Sequence, residues 1–126
     1  MIDDKKLRES ICGLIGSAAQ ANDFEIIHAT LYSAKPRVID YIYRNLPPNG
    51  DQEHYELEIN VYGPASDSDT VEAVSAKISS GLHGVFQLEQ EFAYYMYKEN
   101  RNQLSNGDGH SARYRLTFDM YLYERS

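Results

Sequence analysis

The sequence predicts an α+β fold: a mostly antiparallel sheet of about five strands, with two helices packed on one of its faces. Two stretches, 4–21 and 70–82, carry apolar residues at the helical spacings of three and four. Two others, 54–62 and 112–124, alternate apolar and polar residues as half-buried strands do. A chain of 126 residues is long enough for one ordinary domain, which we assign to residues 1–126.

The first predicted helix covers residues 4–21. Asp3 or Asp4 can cap its start, because a carboxylate accepts hydrogen bonds from the unpaired N–H groups of the first turn. Cys12 lies inside this helix beside core positions, which favours a small buried residue over a nucleophile. The apolar stripe consists of Leu7, Ile11, Leu14, Ile15 and Ala18.

The second predicted helix covers residues 70–82. Asp69 and Glu72 have the spacing of a capping box, and Gly81 and Gly84 are natural stops at the other end. The apolar stripe of this helix consists of Val71, Val74, Ile78 and Leu82. The two stripes together predict one layer of helices over one apolar sheet face.

The strands of the first half follow the same reasoning. Residues 24–33 are rich in β-branched and aromatic types and indicate a strand or an extended arm. Pro36 starts a new element, and residues 37–45 are apolar on both faces, as expected for a strand covered twice. A turn over residues 46–50 then leads to the strand at 54–62, which Gly63 and Pro64 end.

In the second half, residues 85–88 and 91–98 are apolar and aromatic and predict two short strands or one bent strand. Residues 99–111 are polar, and we expect a long mobile loop there. The strand at 112–124 completes the sheet.

The net charge of −7 comes from one window, since seven acidic residues lie between Asp51 and Glu72 without any Lys or Arg. Nucleic-acid affinity depends on neutralising phosphates with basic residues, so the sequence disfavours nucleic-acid binding. No apolar run approaches the roughly 20 residues that span a bilayer. The N-terminus lacks a basic-then-apolar signal pattern, so neither a membrane span nor secretion is predicted.

No residue pattern in the sequence indicates a catalytic, cofactor or metal site. None of the four histidines lies four residues from another, and a single cysteine can build neither a sulfur site nor an intrachain disulfide. The glycines mark turns, without the strand, Gly-rich loop and helix order that holds phosphates. We therefore predict that the protein is not an enzyme.

The eleven tyrosines, against no tryptophan, are the compositional anomaly. All lie in predicted strands, where β propensity explains about half of them. Three occupy the polar-facing positions of strands that alternate clearly. An apolar ring whose hydroxyl group can reach water suits subunit contacts there. We predict a homo-oligomer with these three at the interface: Tyr62, Tyr121 and Tyr123.

The order of elements resembles that of the small tail-terminator or tail-completion proteins of long-tailed bacteriophages, which include minor capsid and head–tail joining components. The resemblance covers nearly the whole chain and rests on element order and texture. After the N-terminal helix, the matching segments are the Pro-initiated strand 36–43, the alternating strand 55–63, the capped helix 66–82 and the terminal strand 112–124.

The resemblance implies a non-enzymatic α+β subunit without cofactor, located in the virion at the head–tail junction and in the host cytoplasm during assembly. It implies a ring, commonly six-fold, that contacts tail-tube and head-connector proteins while DNA passes through without specific binding. Glu56 and Glu58 are the candidates for its negatively charged bore or rim. The candidate partner-contact loop, 99–111, includes Arg101, Asn106, Gly107, Asp108 and Gly109.

Two other readings of the residues stay open. A small cone-shaped ligand-binding or isomerase-like domain would need a polar group in a pocket, and Asp40 is the candidate, although a solvent-facing side chain is favoured there. An adaptor would instead bind one protein by strand addition at a sheet edge.

Overall fold

The computed structural model describes residues 3–104 and 111–125. A short 3₁₀ helix, Ala65–Asp67, joins the third strand to the second helix. In chain order the other elements are α1 (Asp4–Ala19), β1 (Glu25–His28), β2 (Val38–Asn49), β3 (Gln52–Pro64), α2 (Ser68–Leu82), β4 (Phe86–Leu88), β5 (Phe92–Leu104) and β6 (Ser111–Glu124). Neither described helix has the length and apolar character needed to cross a membrane.

The described strands form one mixed sheet in the order β1-β2-β3-β6-β5-β4. Neighbouring strands are antiparallel except β1 and β2, which run parallel. The predicted α+β class with a mostly antiparallel sheet is confirmed. Six strands replace about five, because the predicted runs at 85–88 and 91–98 form two separate strands, β4 and β5, and not one bent strand.

Both helices lie on one side of the sheet, here called the helix face, and the core lies between these two layers. α1 buries Leu7, Ile11, Ile15 and Ala19, and α2 buries Val71, Val74, Ile78 and Leu82. The central strands contribute every second residue to this core: Leu57, Ile59 and Val61 from β3, and Leu116, Phe118, Met120 and Leu122 from β6. The alternation in the sequence predicted this face correctly.

The two ends of α1 have local causes. The Asp3 carboxylate accepts a hydrogen bond from the Lys5 backbone N–H at 2.9 Å, as predicted for a cap. Gln20 adopts the left-handed conformation with φ 51°, and its N–H donates to the Gly16 carbonyl at 3.2 Å. The helix therefore ends at Ala19, two residues before the predicted end.

The predicted capping box of α2 is wrong. The helix begins at Ser68, so Asp69 lies inside the first turn, and the N-cap residue Asp67 makes no side-chain capping bond. Its carboxylate instead accepts from the Arg37 guanidinium at 2.8 and 2.6 Å. An arginine distant in sequence thus outcompetes the local backbone donors.

Gly81 was predicted to stop α2, but it lies within the helix and has a packing role. A Cβ on Gly81 would lie 2.8 Å from the Cβ of Ala18, so the absent side chain is what lets α1 approach. Gly84, with φ 76°, follows the helix and does act as the stop.

Several strand boundaries differ from prediction because pairing overrides local composition. β1 is only Glu25–His28 within the predicted 24–33. β2 continues to Asn49 through an irregularity in its register, so the turn is confined to Gly50 and the next residue, with φ 65° at Gly50. β3 continues through Pro64 instead of ending at Gly63.

The predicted loop 99–111 is wrong for its first six residues. β5 extends to Leu104, since residues 100–104 pair with 113–117 of β6 after a register shift between Lys98 and Asn100. Polar residues form this half of the strand because a long partner strand supplies the ladder hydrogen bonds. Residues 105–110 lie outside the described part of the chain.

The prediction that strand 37–45 is covered twice is also wrong for the single chain. Ile39 and Tyr41 are buried beneath the helices, whereas Ile42, on the opposite face, is 38% exposed. No helix of the described chain packs on that second face.

Candidate functional site: the outer face of the sheet

The sheet surface opposite the helices, here called the outer face, carries the predicted interface tyrosines and the predicted bore glutamates. Strand pairing places Tyr62 opposite Arg113, Glu58 opposite Thr117, and His54 opposite Tyr121. These side chains point away from the helices because successive residues of a strand alternate between the two faces. The outer face is polar at its centre and aromatic at one end.

A buried amide organises the polar centre. Asn60 is only 3% exposed, and its Nδ2 donates to Asp40 at 3.0 Å and to Glu58 at 3.1 Å. Its Oδ1 accepts from Arg113 Nε at 3.2 Å and Nη2 at 2.9 Å. The Arg113 guanidinium also lies 5.1 Å from the centre of the Tyr62 ring, a cation–π contact. The polar groups here satisfy one another.

Asp40 is half-buried in this network. Burial raises the pKa of its carboxyl group, while hydrogen bonds from Asn60 and Tyr62 and the charge of Arg113 act to lower it. The same burial, together with the neighbouring Asp40, raises the pKa of Tyr62. The side chain is on the outer face, but it is less exposed than the favoured sequence reading assumed.

Glu56 and Glu58, the predicted bore residues, both lie on the outer face. The Glu56 carboxylate contacts the Arg44 guanidinium at 3.1 Å, and Glu58 lies 3.9 Å from Arg115. Glu56 and Glu58 belong to the stretch between Asp51 and Glu72 that contains no Lys or Arg. In the folded chain, arginines of β2 and β6 nevertheless lie close to both carboxylates. Their assignment to a bore stays a prediction.

At the other end, the outer face is aromatic. The Tyr121 ring stacks between two others, with its centre 4.6 Å from that of His54 and 5.2 Å from that of Tyr95. The His54 Nε2 is 2.9 Å from an Asp119 carboxylate oxygen. Tyr95 donates its hydroxyl proton to Gln52 at 2.9 Å. The Tyr121 ring is thus held in place by the two rings on either side of it.

A groove of about 840 Å³ opens beside this stack, between the β2–β3 turn, the start of β4 and the adjoining ends of β5 and β6. Here we call it the aromatic groove. Its rings belong to Phe86, Tyr95, Tyr97 and Tyr123. Three carboxylates border it, those of Asp51, Glu53 and Glu124, and its described lining contains no Lys or Arg.

The three predicted interface tyrosines do not form one patch. Tyr121 and Tyr123 lie beside the aromatic groove, whereas Tyr62 lies at the opposite end of β3. Eight residues separate Tyr62 from His54, the partner of Tyr121, which corresponds to about 27 Å of strand. Their place in a subunit interface stays a prediction, with Tyr62 necessarily belonging to a different part of it.

The predicted partner-contact residues are split as well. Arg101 lies on the helix face, where its Nε donates to Ser75 of α2 at 3.2 Å and its guanidinium covers the Tyr114 ring at 5.1 Å. This residue fastens β5 to the helix layer. Asn106, Gly107, Asp108 and Gly109 lie outside the described residues.

Sequence reasoning missed the aromatic groove and the role of Asn60. The alternating rings of Tyr95 and Tyr97 were visible, but their side of the sheet depends on pairing with β6. Asn60 stood in the outward register among glutamates, and only the convergence of three strands buries it. Within residues 3–104 and 111–125, no three His, Cys, Asp or Glu side chains gather closely enough to hold a metal ion.

No protein-family model matches the chain, and neither does any curated protein. Among solved structures, a chain of the "Virion of native gene transfer agent (GTA) particle" has the same fold, with a TM-score of 0.62. The two chains are 15% identical, and the likeness covers 96% of this chain and 90% of that one. The common architecture therefore extends over nearly the full length of both.

Proposed function

We propose that this protein is a structural component of a virion. The observation that carries the proposal is the fold it shares, from one end to the other, with a chain of the gene transfer agent virion. Fold alone does not define function. The proposal therefore also draws on a sheet face that neither described helix covers, and on apolar side chains that the described chain leaves exposed to water.

The finer proposal is a homo-oligomeric ring, six-fold in the simplest case, that caps a phage-type tail tube and joins it to the head connector. The order of helices and strands supports it, as does the aromatic end of the outer face, where Tyr121 stacks on Tyr95 and Tyr123 lines the aromatic groove. We assign the protein to the head–tail junction of the particle, with assembly in the host cytoplasm.

We propose a non-catalytic role for the outer face. Its central polar groups hydrogen-bond to one another, and Asn60 uses both ends of its amide in doing so. Such a closed network stabilises a surface more readily than it activates a substrate. DNA would then pass a ring whose Glu56 and Glu58 are balanced by arginines, without being held.

Electron microscopy of the purified protein tests the proposal. We expect negatively stained rings, or short stacks of rings, and a light-scattering mass that is a multiple of 14.4 kDa. Antibody labelling of particles should place the protein at the junction of head and tail. A chain that remains monomeric at high concentration and is absent from purified particles would contradict the proposed function.

A further inference from the structure

Most of the exposed apolar side chains fall into two groups. Six large ones are exposed in the described part of the chain. Leu31 and Tyr32, exposed by 62% and 90%, lie between β1 and β2. Phe86, Leu88 and Tyr97, exposed by 55%, 57% and 49%, lie in β4 and the adjoining part of β5. Clustered exposed apolar surface of this kind marks an interaction site.

The first group sits on the connection of residues 29–37, here called the arm. At 90% exposure the Tyr32 side chain touches almost nothing of its own chain. Lys35 follows three residues later and makes no ion pair with any described residue. The arm therefore presents an aromatic ring, an aliphatic side chain and a positive charge.

The second group borders the aromatic groove, which has the complementary properties. Phe86 and Tyr97 offer partly uncovered rings, and Asp51 and Glu53 place carboxylates at the rim. No described basic residue lines the groove, so its charge favours a cationic occupant. A lysine near tyrosine rings and carboxylates gains both ion pairing and cation–π attraction.

We infer that the arm of one copy of the chain occupies the aromatic groove of the next copy. Tyr32 and Leu31 would cover Phe86 and Tyr97, and Lys35 would lie against the carboxylates of the rim. This inference rests on the proposed function, because it names the contact by which the subunits of the ring would join.

The positions of arm and groove make this contact head-to-tail. The arm adjoins β1, one edge of the sheet, and the groove reaches β4, the other edge. Five strand spacings separate these edges, about 24 Å measured along the sheet. Different surfaces of two copies therefore meet, an arrangement that generates a ring when the rotation closes.

Complementary variants test the inference. The arm variant carries Tyr32→Ser and Lys35→Glu, and the groove variant carries Phe86→Ser and Glu53→Gln. We expect the wild-type chain and the control Ile42→Ser, whose exposed apolar side chain is outside both surfaces, to form oligomers in size exclusion with light scattering. Each variant alone should be monomeric at 14.4 kDa, with an unchanged circular dichroism spectrum.

Mixing the two variants gives the sharper result. The intact arm of the groove variant should enter the intact groove of the arm variant, and no further subunit can then add. The mixture should run as a dimer of twice 14.4 kDa, about 29 kDa, and no larger. Oligomers of either variant that equal those of the wild type, or a mixture that stays monomeric, would overturn the inference.

A cross-link keeps the test independent of stability changes. In a Cys12→Ser background, Tyr32→Cys with Phe86→Cys should give a ladder of disulfide-linked multimers on mild oxidation, and either cysteine alone should give dimers at most. Wild-type rings without that ladder would remove this contact and leave the proposed function standing. A wild-type chain that is monomeric at all concentrations would count against both.

Discussion

A single buried amide holds together the polar centre of the outer face. Asn60 bonds to Asp40, Glu58 and Arg113 across three strands and is almost inaccessible to water. Without the Asn60 amide, the Asp40 and Glu58 carboxylates would each lose a hydrogen-bond donor. The Arg113 guanidinium would lose an acceptor. Leaving buried polar groups unpaired costs more than a typical hydrogen bond contributes.

Asn60→Ala should therefore destabilise the fold by about 1–3 kcal/mol. Asn45→Ala is the matched control, because Asn45 belongs to the same sheet but is exposed. Its effect should stay within about 0.5 kcal/mol. Urea unfolding followed by circular dichroism measures both, and equal effects of the two changes would show that the Asn60 network adds nothing to stability.

Asp40 should make stability depend on pH. Burial raises the pKa of its carboxyl group in the folded chain. A carboxyl group with a raised folded pKa binds more protons folded than unfolded. Its contribution is therefore complete below the ordinary value of 3.8 and is lost as the pH rises through the folded pKa.

The side chain introduced by Asp40→Asn stays neutral at every pH. We therefore expect the free energy of unfolding of this variant to increase relative to that of the wild type as the pH rises from 3.8 to neutrality. Urea titrations at several pH values provide the measurement. A difference between Asp40→Asn and the wild type that does not change with pH would contradict the expectation.

At the scale of elements, two glycines in helices have opposite roles. Gly81 of α2 faces Ala18 of α1 so closely that a Cβ would lie 2.8 Å from the Ala18 Cβ. Gly13 of α1 has no atom within 4 Å of the place where its Cβ would be. One glycine therefore sets the distance between the helices, and the other only weakens its own helix.

Alanine at these two positions should have effects of opposite sign. Gly81→Ala gains at most about 1 kcal/mol of helix propensity but overpacks the helix contact, which costs roughly 1–3 kcal/mol. Gly13→Ala should raise stability by about 0.5–1 kcal/mol, since nothing opposes the gain in propensity. Thermal and urea unfolding measure the change in stability of both variants. Changes of the same sign would rule out this division of roles.

The strand ends show how pairing overrides composition. Residues 100–103 are polar and would form a loop by propensity alone, yet residues 100–104 continue β5 because residues 113–117 of β6 supply a full ladder. In β2, Pro47 and Pro48 lack donors, and the register changes between Leu46 and Asn49, where they lie. Local sequence located the strands, whereas their partners determined the ends.

At the scale of the whole molecule, charge is distributed unevenly despite the arginines of the outer face. The central glutamates are compensated, whereas the rim of the aromatic groove carries carboxylates without a basic residue in its described lining. Arginines therefore accompany the central glutamates, whereas carboxylates are the charged groups in the described lining of the groove. This unevenness favours contact with a basic segment at the aromatic groove.

The joint change Glu56→Gln and Glu58→Gln tests the bore assignment. Partly exposed ion pairs contribute about 0–1 kcal/mol each, and a glutamine keeps an amide oxygen that can accept the hydrogen bond from Asn60, so folding and ring formation should persist. Arg44 and Arg115 would then be uncompensated and should retain DNA, so particles carrying the variant should lose infectivity. The control is Glu9→Gln with Glu72→Gln, which removes two charges from the helices. Normal infectivity of the outer-face variant would remove both glutamates from the bore.

The sequence by itself determined the fold class, both helices and the helix face of the central strands. Apolar spacing in α1 and α2, and alternation along β3 and β6, follow from how residues repeat around a helix or across a strand. These are local properties, and a linear pattern reports them directly. The Asp3 cap and the Gly84 stop belong to the same class, because each acts within one turn of chain.

Only the tertiary structure decided which distant residues meet. It buried Asn60, paired Glu56 and Glu58 with arginines of other strands, drew Arg101 to the helix layer, and separated Tyr62 from Tyr121 by the length of a strand. The aromatic groove has the same origin, since four elements converge to form it. Such contacts depend on strand order and register, which arise from the packing of the whole chain and leave no periodic signal along it.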